Sequence, residues 1–294
     1  MTALRKRRLG RTDLWVSELG FGGAHVAGSP QGEEALVRAF ILGVDFVETG
    51  RLYRGSEYMI GRALRRLRDG GVGVHVASKT LARSRDGALR DLERSLDHLG
   101  REKIDVYQAC NVGEGDWEPV MAPGGALDAL KEARENGLIR FVGISSHSPQ
   151  VLRLAIESGE FDTVQLAYSP FSRAAEGAMR LAHRRDIGVI VMKPVGGFGM
   201  PGSLKGSPYE ERLSPATLIH YALSNARMSV VVPGMRFPSE VEENVALART
   251  YEAMAPGRRA RVRRLAEAFM AEAAVAPIMP RPGAAQASEE SSAR

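Results

Sequence analysis

Eight short runs rich in β-branched residues recur along this chain, and each is followed by a longer stretch with helical periodicity. The runs are ELGFGG (18–23), DFVETG (45–50), VHVASKT (74–80), IDVYQAC (104–110), IRFVGISSH (139–147), TVQLAYS (163–169), GVIVMKP (188–194) and SVVVPGM (229–235). Between them lie helical candidates such as GEEALVRAFIL, EYMIGRALRRL, GALRDLERSLDHL, ALDALKEAREN and PATLIHYALSN. A helix between every two strands is the mark of a parallel sheet, because a right-handed crossover needs one. Strands this continuously apolar are buried on both faces. Eight such units predict an α/β fold of the (β/α)8 TIM-barrel class rather than an open Rossmann sheet.

Helix ends support the same partition. HLG, ENG and ESG place a glycine or asparagine where a left-handed stop belongs, and SPQVLRLAI and SPATLIHYAL open on Ser-Pro. Ahead of the barrel, RRLGRTDLWVSELG reads as a short hairpin turning at Gly-Arg-Thr-Asp. After it, RRARVRRLAEAFMAEAAV reads as an extra helix, and the Pro/Ala/Ser/Glu-rich PIMPRPGAAQASEESSAR as a disordered tail. The expected organisation is one barrel domain over residues 1–276 and a tail over 277–294.

Composition narrows the function. An apolar content of 44% over 294 residues suffices for a barrel of about 250 residues. No apolar run reaches the roughly 18 residues of a membrane span. The basic start has no apolar core segment, so no signal peptide is expected and the protein reads as soluble and cytoplasmic. One cysteine excludes an internal disulfide, and no metal-type Cys/His spacing occurs, so no metal is expected. The formal charge of +5 raises the question of nucleic acid. Its basic clusters, RKRR (5–8) and RRARVRR (258–264), have no interleaved aromatics and read as solvated faces. Of only six lysines, Lys79 and Lys193 close predicted strands.

A barrel of this kind holds its chemistry at the carboxyl ends of its strands. The polar residues there are Glu48, Lys79, Cys110, Ser145, Ser146, His147, Gln165, Ser169, Lys193 and Arg236, and Tyr53 follows Glu48 by five positions in ETGRLYRGSE. A loop of that length can bring Tyr53 back over the mouth.

At these residues the chain resembles the aldo-keto reductase family, over about residues 7–250. The matching segments are LGRTDLWVSELGFGG, GVDFVETGRLYRGSEYMIGRAL, ASKT, IDVYQACN, GLIRFVGISSHS, VQLAYSP, IGVIVMKPVGG and VVPGM followed by EVEENV. The resemblance implies a barrel that binds NAD(P)H extended across its mouth and reduces carbonyls. Family catalysis uses Asp, Tyr, Lys and His, which correspond to Glu48, Tyr53, Lys79 and Cys110 here. Tyr53 would donate the proton, Lys79 would lower the phenol pKa, and Glu48 would hold Lys79. Glu48 keeps the charge with one extra methylene, whereas a neutral thiol at Cys110 cannot supply an imidazole N–H. Cys110 reads either as a passive mouth-lining residue or as a reactive thiol. His147 is a candidate substitute donor or a neighbour of the cofactor amide.

For the cofactor, the resemblance assigns Ser145, Ser146 and Gln165 to the nicotinamide carboxamide. Gly23, Lys193 and Gly234 fall along the same groove. The loop PVGGFGMPG contains Gly197, Phe198 and Gly199. Its formal dinucleotide fingerprint lacks the strand-turn-helix context of a Rossmann motif, but it suits a flexible cover for pyrophosphate. Arg236 precedes a helix start suited to phosphate, and Glu243 and Asn244 match the family's adenine-edge pair. Glu240 stands at a frequent phosphate-arginine position and would repel that group. NADPH is therefore expected, with NADH the alternative, and the partner is a small carbonyl or alcohol. Two rival readings use the same barrel: a non-redox lyase, cyclase or isomerase working through Tyr53 and Lys79, and a nucleotide-sensing regulatory member.

Overall fold

The structure, a computed structural model describing residues 2–67, 70–196 and 203–275, places eight parallel strands side by side in one sheet. A hairpin, β1 (Lys6–Arg8) and β2 (Trp15–Ser17), precedes them. The barrel strands are β3 (Phe21–Gly22), β4 (Phe46–Glu48), β5 (His75–Thr80), β6 (Ile104–Ala109), β7 (Ile139–Ser145), β8 (Thr163–Ala167), β9 (Gly188–Met192) and β10 (Val230–Val232). Closure comes from the backbone: Gly20 N donates to Val231 O at 2.8 Å and Gly22 N to Pro233 O at 2.8 Å.

The helices that follow are α1 (Gly32–Ile41), α2 (Ser56–Arg66), α3 (Arg85–Leu99), α4 (Trp117–Met121), α5 (Ala126–Glu135), α6 (Pro149–Ser158), α7 (Glu176–Arg184), α8 (Pro215–Leu223), α9 (Pro238–Thr250) and α10 (Pro256–Val275). Their ends follow the local sequence. Ser148 and Ser214 cap α6 and α8, their hydroxyls accepting from Val151 N and Thr217 N, with proline at the first helical position. Gly100 and Gly159 end α3 and α6 at φ of 63° and 76°, a region that costs a side chain energy but not glycine.

Two apolar cores form among the described residues. Leu9, Leu14 and Val16 of the hairpin close one end of the barrel against Phe46, Ala77, Val106, Ile190 and Val230 inside it. The larger core lies between sheet and helices and takes the alternate residues, so Val106 faces in while Tyr107 and Ala109 face out. All eight predicted strands exist, but each is shorter than its apolar run, because the last residues already turn out into the loops that build the mouth. The expected tail over 277–294, and Gly197, Phe198 and Gly199, lie outside the described residues.

Candidate active site

The mouth is built around a buried ion pair. Glu48 ends β4 and Lys79 sits near the end of β5, and they are only 3% and 2% exposed. Lys79 Nζ donates to Glu48 Oε1 and, at 2.8 Å, to Thr49 O. The extra methylene of Glu48 thus does not prevent the pairing expected of it. Burial pulls the Lys79 amine down to about 7, while the contacting carboxylate opposes that by favouring the ammonium.

Tyr53 reaches this pair by a tethered loop. Arg51 N donates to Lys79 O at 3.1 Å and Tyr53 N to Gly50 O at 2.9 Å, while Arg51 Nη1 holds buried Glu57 at 2.5 Å. Gly50 leaves the space its neighbour needs, since a Cβ there would stand 2.5 Å from Lys79 Cγ. The loop lays the Tyr53 ring against the ammonium, with Lys79 Nζ 4.4 Å from the ring centroid. The phenol is not acidified by this neighbour. Burial, and then the Cys110 thiol, push it up to about 12. The physical reason is that the buried hydroxyl has lost the water that would solvate a phenolate.

Cys110 follows β6 and is 2% exposed. Its thiol hydrogen-bonds the Ser145 hydroxyl, and burial raises its pKa against the pull of Lys79, Ser145 and Arg83. Of the two readings, a passive neutral thiol fits this environment. Iodoacetamide is expected to label native Cys110 at pH 7.5 at least about tenfold more slowly than the unfolded chain; mass spectrometry of both states measures this.

The expected carboxamide partners are all engaged within the protein. Ser145 Oγ accepts from Asn111 N at 2.8 Å, and Ser146 Oγ donates to Val112 O at 2.7 Å. Gln165 is fully buried and turned into the barrel, its Nε2 donating to Glu48 Oε1 at 3.0 Å and its Oε1 accepting from Gln108 Nε2 at 2.7 Å. The longer acid at position 48 is what reaches Gln165. His147 is exposed at the end of β7, its pKa lowered by burial of the ring and by nearby Lys193. Trp117 starts α4 and packs on Phe161, with ring centroids 6.4 Å apart.

A cavity of about 540 Å³ lies between the ends of β3 and β10 and the start of α9, lined by His25, Gly234, Arg236, Glu240, Glu243 and Asn244. Its size is that of a small-molecule or cofactor site. Gly234 keeps one wall open, since a Cβ there would meet only His25 Cδ2 closely, at 3.1 Å. Just before α9, Glu240 Oε2 accepts from Arg236 N at 2.6 Å and Phe237 N at 3.3 Å. A carboxylate of the chain itself thus stands at the entry to the helix. Gly23 packs instead against β4 and α2, where a Cβ would stand 2.7 Å from Ser56 Oγ and 2.8 Å from Glu48 O.

A model of the Aldo/keto reductase family matches residues 18–213. The chain belongs to that family. It is 27% identical to the L-galactose dehydrogenase of Arabidopsis thaliana over 293 residues, covering 86% of this chain and 91% of that one. Among solved structures, it is similar to the holo form of an aldo-keto reductase from Bacillus halodurans, with a TM-score of 0.75, 24% identity and coverage of 89% and 96%. An aldo-keto reductase from Bombyx mori in complex with NADP superposes with a TM-score of 0.71 at 17% identity, covering 90% of this chain and 94% of that one. The fold shared with these reductases is the (β/α)8 barrel.

Sequence reasoning missed Gln108, His25 and Arg83 as parts of this aldo/keto reductase site. Arg83 fixes the exit of β6 by donating to Cys110 O at 2.9 Å and Asn111 O at 3.1 Å. Gln108 was legible in principle: it stands two residues before Cys110, on the same face of the strand, as a polar residue in an apolar run.

Proposed function

We propose that this aldo/keto reductase interconverts a carbonyl and an alcohol on a small metabolite with NADPH, NADH being the alternative cofactor. The observation that carries the reading is the buried Glu48–Lys79 pair lying against the Tyr53 ring, at the same barrel mouth as a cavity of about 540 Å³. The residues lining that cavity fit an adenine nucleotide. Asn244 and Glu243 offer donor and acceptor groups to a base edge, and Arg236 offers a cation to phosphate.

When bound, a reduced nicotinamide would supply the hydride. The chain supplies the rest. Tyr53 Oη keeps its proton across the physiological range, because burial holds its pKa near 12. It can release that proton only to an oxygen that is gaining charge, which ties the transfer to carbonyl reduction. Lys79 places a positive charge where the departing proton leaves a phenolate, and Glu48 keeps Lys79 in register. Cys110 contributes a small neutral wall where an imidazole donor would otherwise orient the substrate, so the substrate scope is expected to differ from that of a reductase with histidine there.

Nucleotide choice tests the groove. Glu240→Gln keeps a side chain able to cap α9 but removes its charge. It is expected to tighten NADPH by about tenfold, close to 1.4 kcal/mol, with little change for NADH; isothermal titration of both nucleotides measures it. The function itself is tested by stripping nucleotide from the protein and assaying a carbonyl panel. Substrate conversion that requires and consumes reduced nicotinamide supports the proposal, whereas conversion without nucleotide favours proton-transfer chemistry instead.

A further inference from the structure

The interior of the barrel just below the mouth holds a chain of polar side chains with a fixed direction. Lys79 of β5 pairs in register with Gln108 of β6, and Gln108 with Gly143 of β7. Gly143 makes the room: a Cβ there would stand 2.7 Å from Gln108 Cγ and 2.5 Å from Thr163 Oγ1. Gln108 Nε2 donates to Gln165 Oε1 at 2.7 Å, Gln165 Nε2 donates to Glu48 Oε1 at 3.0 Å, and Lys79 Nζ donates to the same oxygen. The second hydrogen of Gln165 Nε2 points to Met192 Sδ at 3.6 Å.

A glutamine amide can present either its N–H or its C=O to a neighbour. Facing a buried carboxylate, the first is attractive and the second repulsive. By claiming the oxygen of Gln165, Gln108 settles the choice and leaves the N–H end on Glu48. The fold gains little else from Gln108. Its own Oε1 is buried without a hydrogen-bond partner, an arrangement that costs stability and that an apolar side chain of the same shape would avoid.

We propose that Gln108 and Gln165 are positioning residues that keep the Glu48 carboxylate turned on Lys79, so that the pair stays charged against Tyr53. The proposal rests on the catalytic reading above for its purpose, but its geometry and its test do not. The ionisable groups facing Lys79 are Glu48 from β4, Tyr53 from the loop after β4 and Cys110 from the end of β6. Arg83 stands behind Cys110, and Lys193 and His147 neighbour each other at the ends of β9 and β7. Of these, only Glu48 both contacts the ammonium and carries opposite charge. Loosening it therefore lets burial lower the affinity of Lys79 for its proton.

The chain's six lysines make this directly readable. The full-length protein is labelled with 13Cε-lysine and titrated by NMR, with Lys79 assigned by replacing the other five lysines with arginine one at a time. Gln108→Met, which keeps shape without the amide, is expected to move the Lys79 midpoint down by about one pH unit. Gln165→Met is expected to move it as far or further. Thr163→Val removes the other unpartnered polar atom near Gly143 without touching the chain of amides, and should leave the midpoint in place. An unmoved midpoint in Gln108→Met, or an equal shift in Thr163→Val, overturns the proposal. Reduced-nicotinamide consumption, measured separately, reports on the catalytic reading and does not enter this titration.

Discussion

Tyr53→Phe is expected to lower kcat by about 10²- to 10⁴-fold, the usual worth of a positioned proton donor. The phenol is the group that the loop after β4, held by Arg51 on Glu57 and on the Lys79 carbonyl, brings against the ammonium. Removing one oxygen leaves the ring, its stacking on Lys79 and the neighbouring cavity in place. Nucleotide affinity and melting temperature should therefore be almost unchanged, so the loss falls on kcat. Steady-state kinetics with matched nucleotide titrations check it. A variant that keeps native turnover would remove Tyr53 from the chemistry.

Glu48→Ala is expected to be the most destabilising single change at the site, costing about 3–5 kcal/mol, because it strands a buried ammonium. Lys79 is 2% exposed and would retain only the Thr49 carbonyl, while Gln165 would lose its acceptor. The pH dependence has a definite sign. Burial sets the folded-state pKa of Lys79 near 7 against 10.5 in the unfolded chain. Between these values the unfolded state binds the extra proton, so the stability of the parent protein should rise with pH across that window. Without Glu48 the ammonium is held less firmly still, so the rise should be larger in the variant. Urea melts at pH 7 and pH 9 measure both the loss and its partial recovery.

How much of this was legible beforehand follows from the range of each interaction. Ser148-Pro149, Ser214-Pro215, Gly100 and Gly159 act within a turn, and the helix limits they imply agree with those observed. The eight-unit repeat implies closure because a twisted parallel sheet of that size has few other ways to hide both faces. Strand ends were overestimated, since residues such as Lys193, at φ 55°, look like strand by composition but already turn into a loop. The hydrogen-bond directions of the site were not legible. Gln165 lies 57 positions from Gln108 and 117 from Glu48, and its inward commitment depends on which barrel side chains meet. Glu240 was readable as a repelling charge, but its service as the cap of α9 required the backbone.

The central claim is that Tyr53 and the Glu48–Lys79 pair complete a carbonyl reduction begun by hydride from a nicotinamide seated beside them. Its most direct test follows deuterium from reduced nicotinamide labelled at the transferable position, using the intact protein and the carbonyl it turns over fastest. The account predicts deuterium on the product carbinol carbon, one per nucleotide oxidised, with formation of the labelled product suppressed in Tyr53→Phe. Product formed without deuterium from the nucleotide, or at the parent rate in that variant, would contradict it.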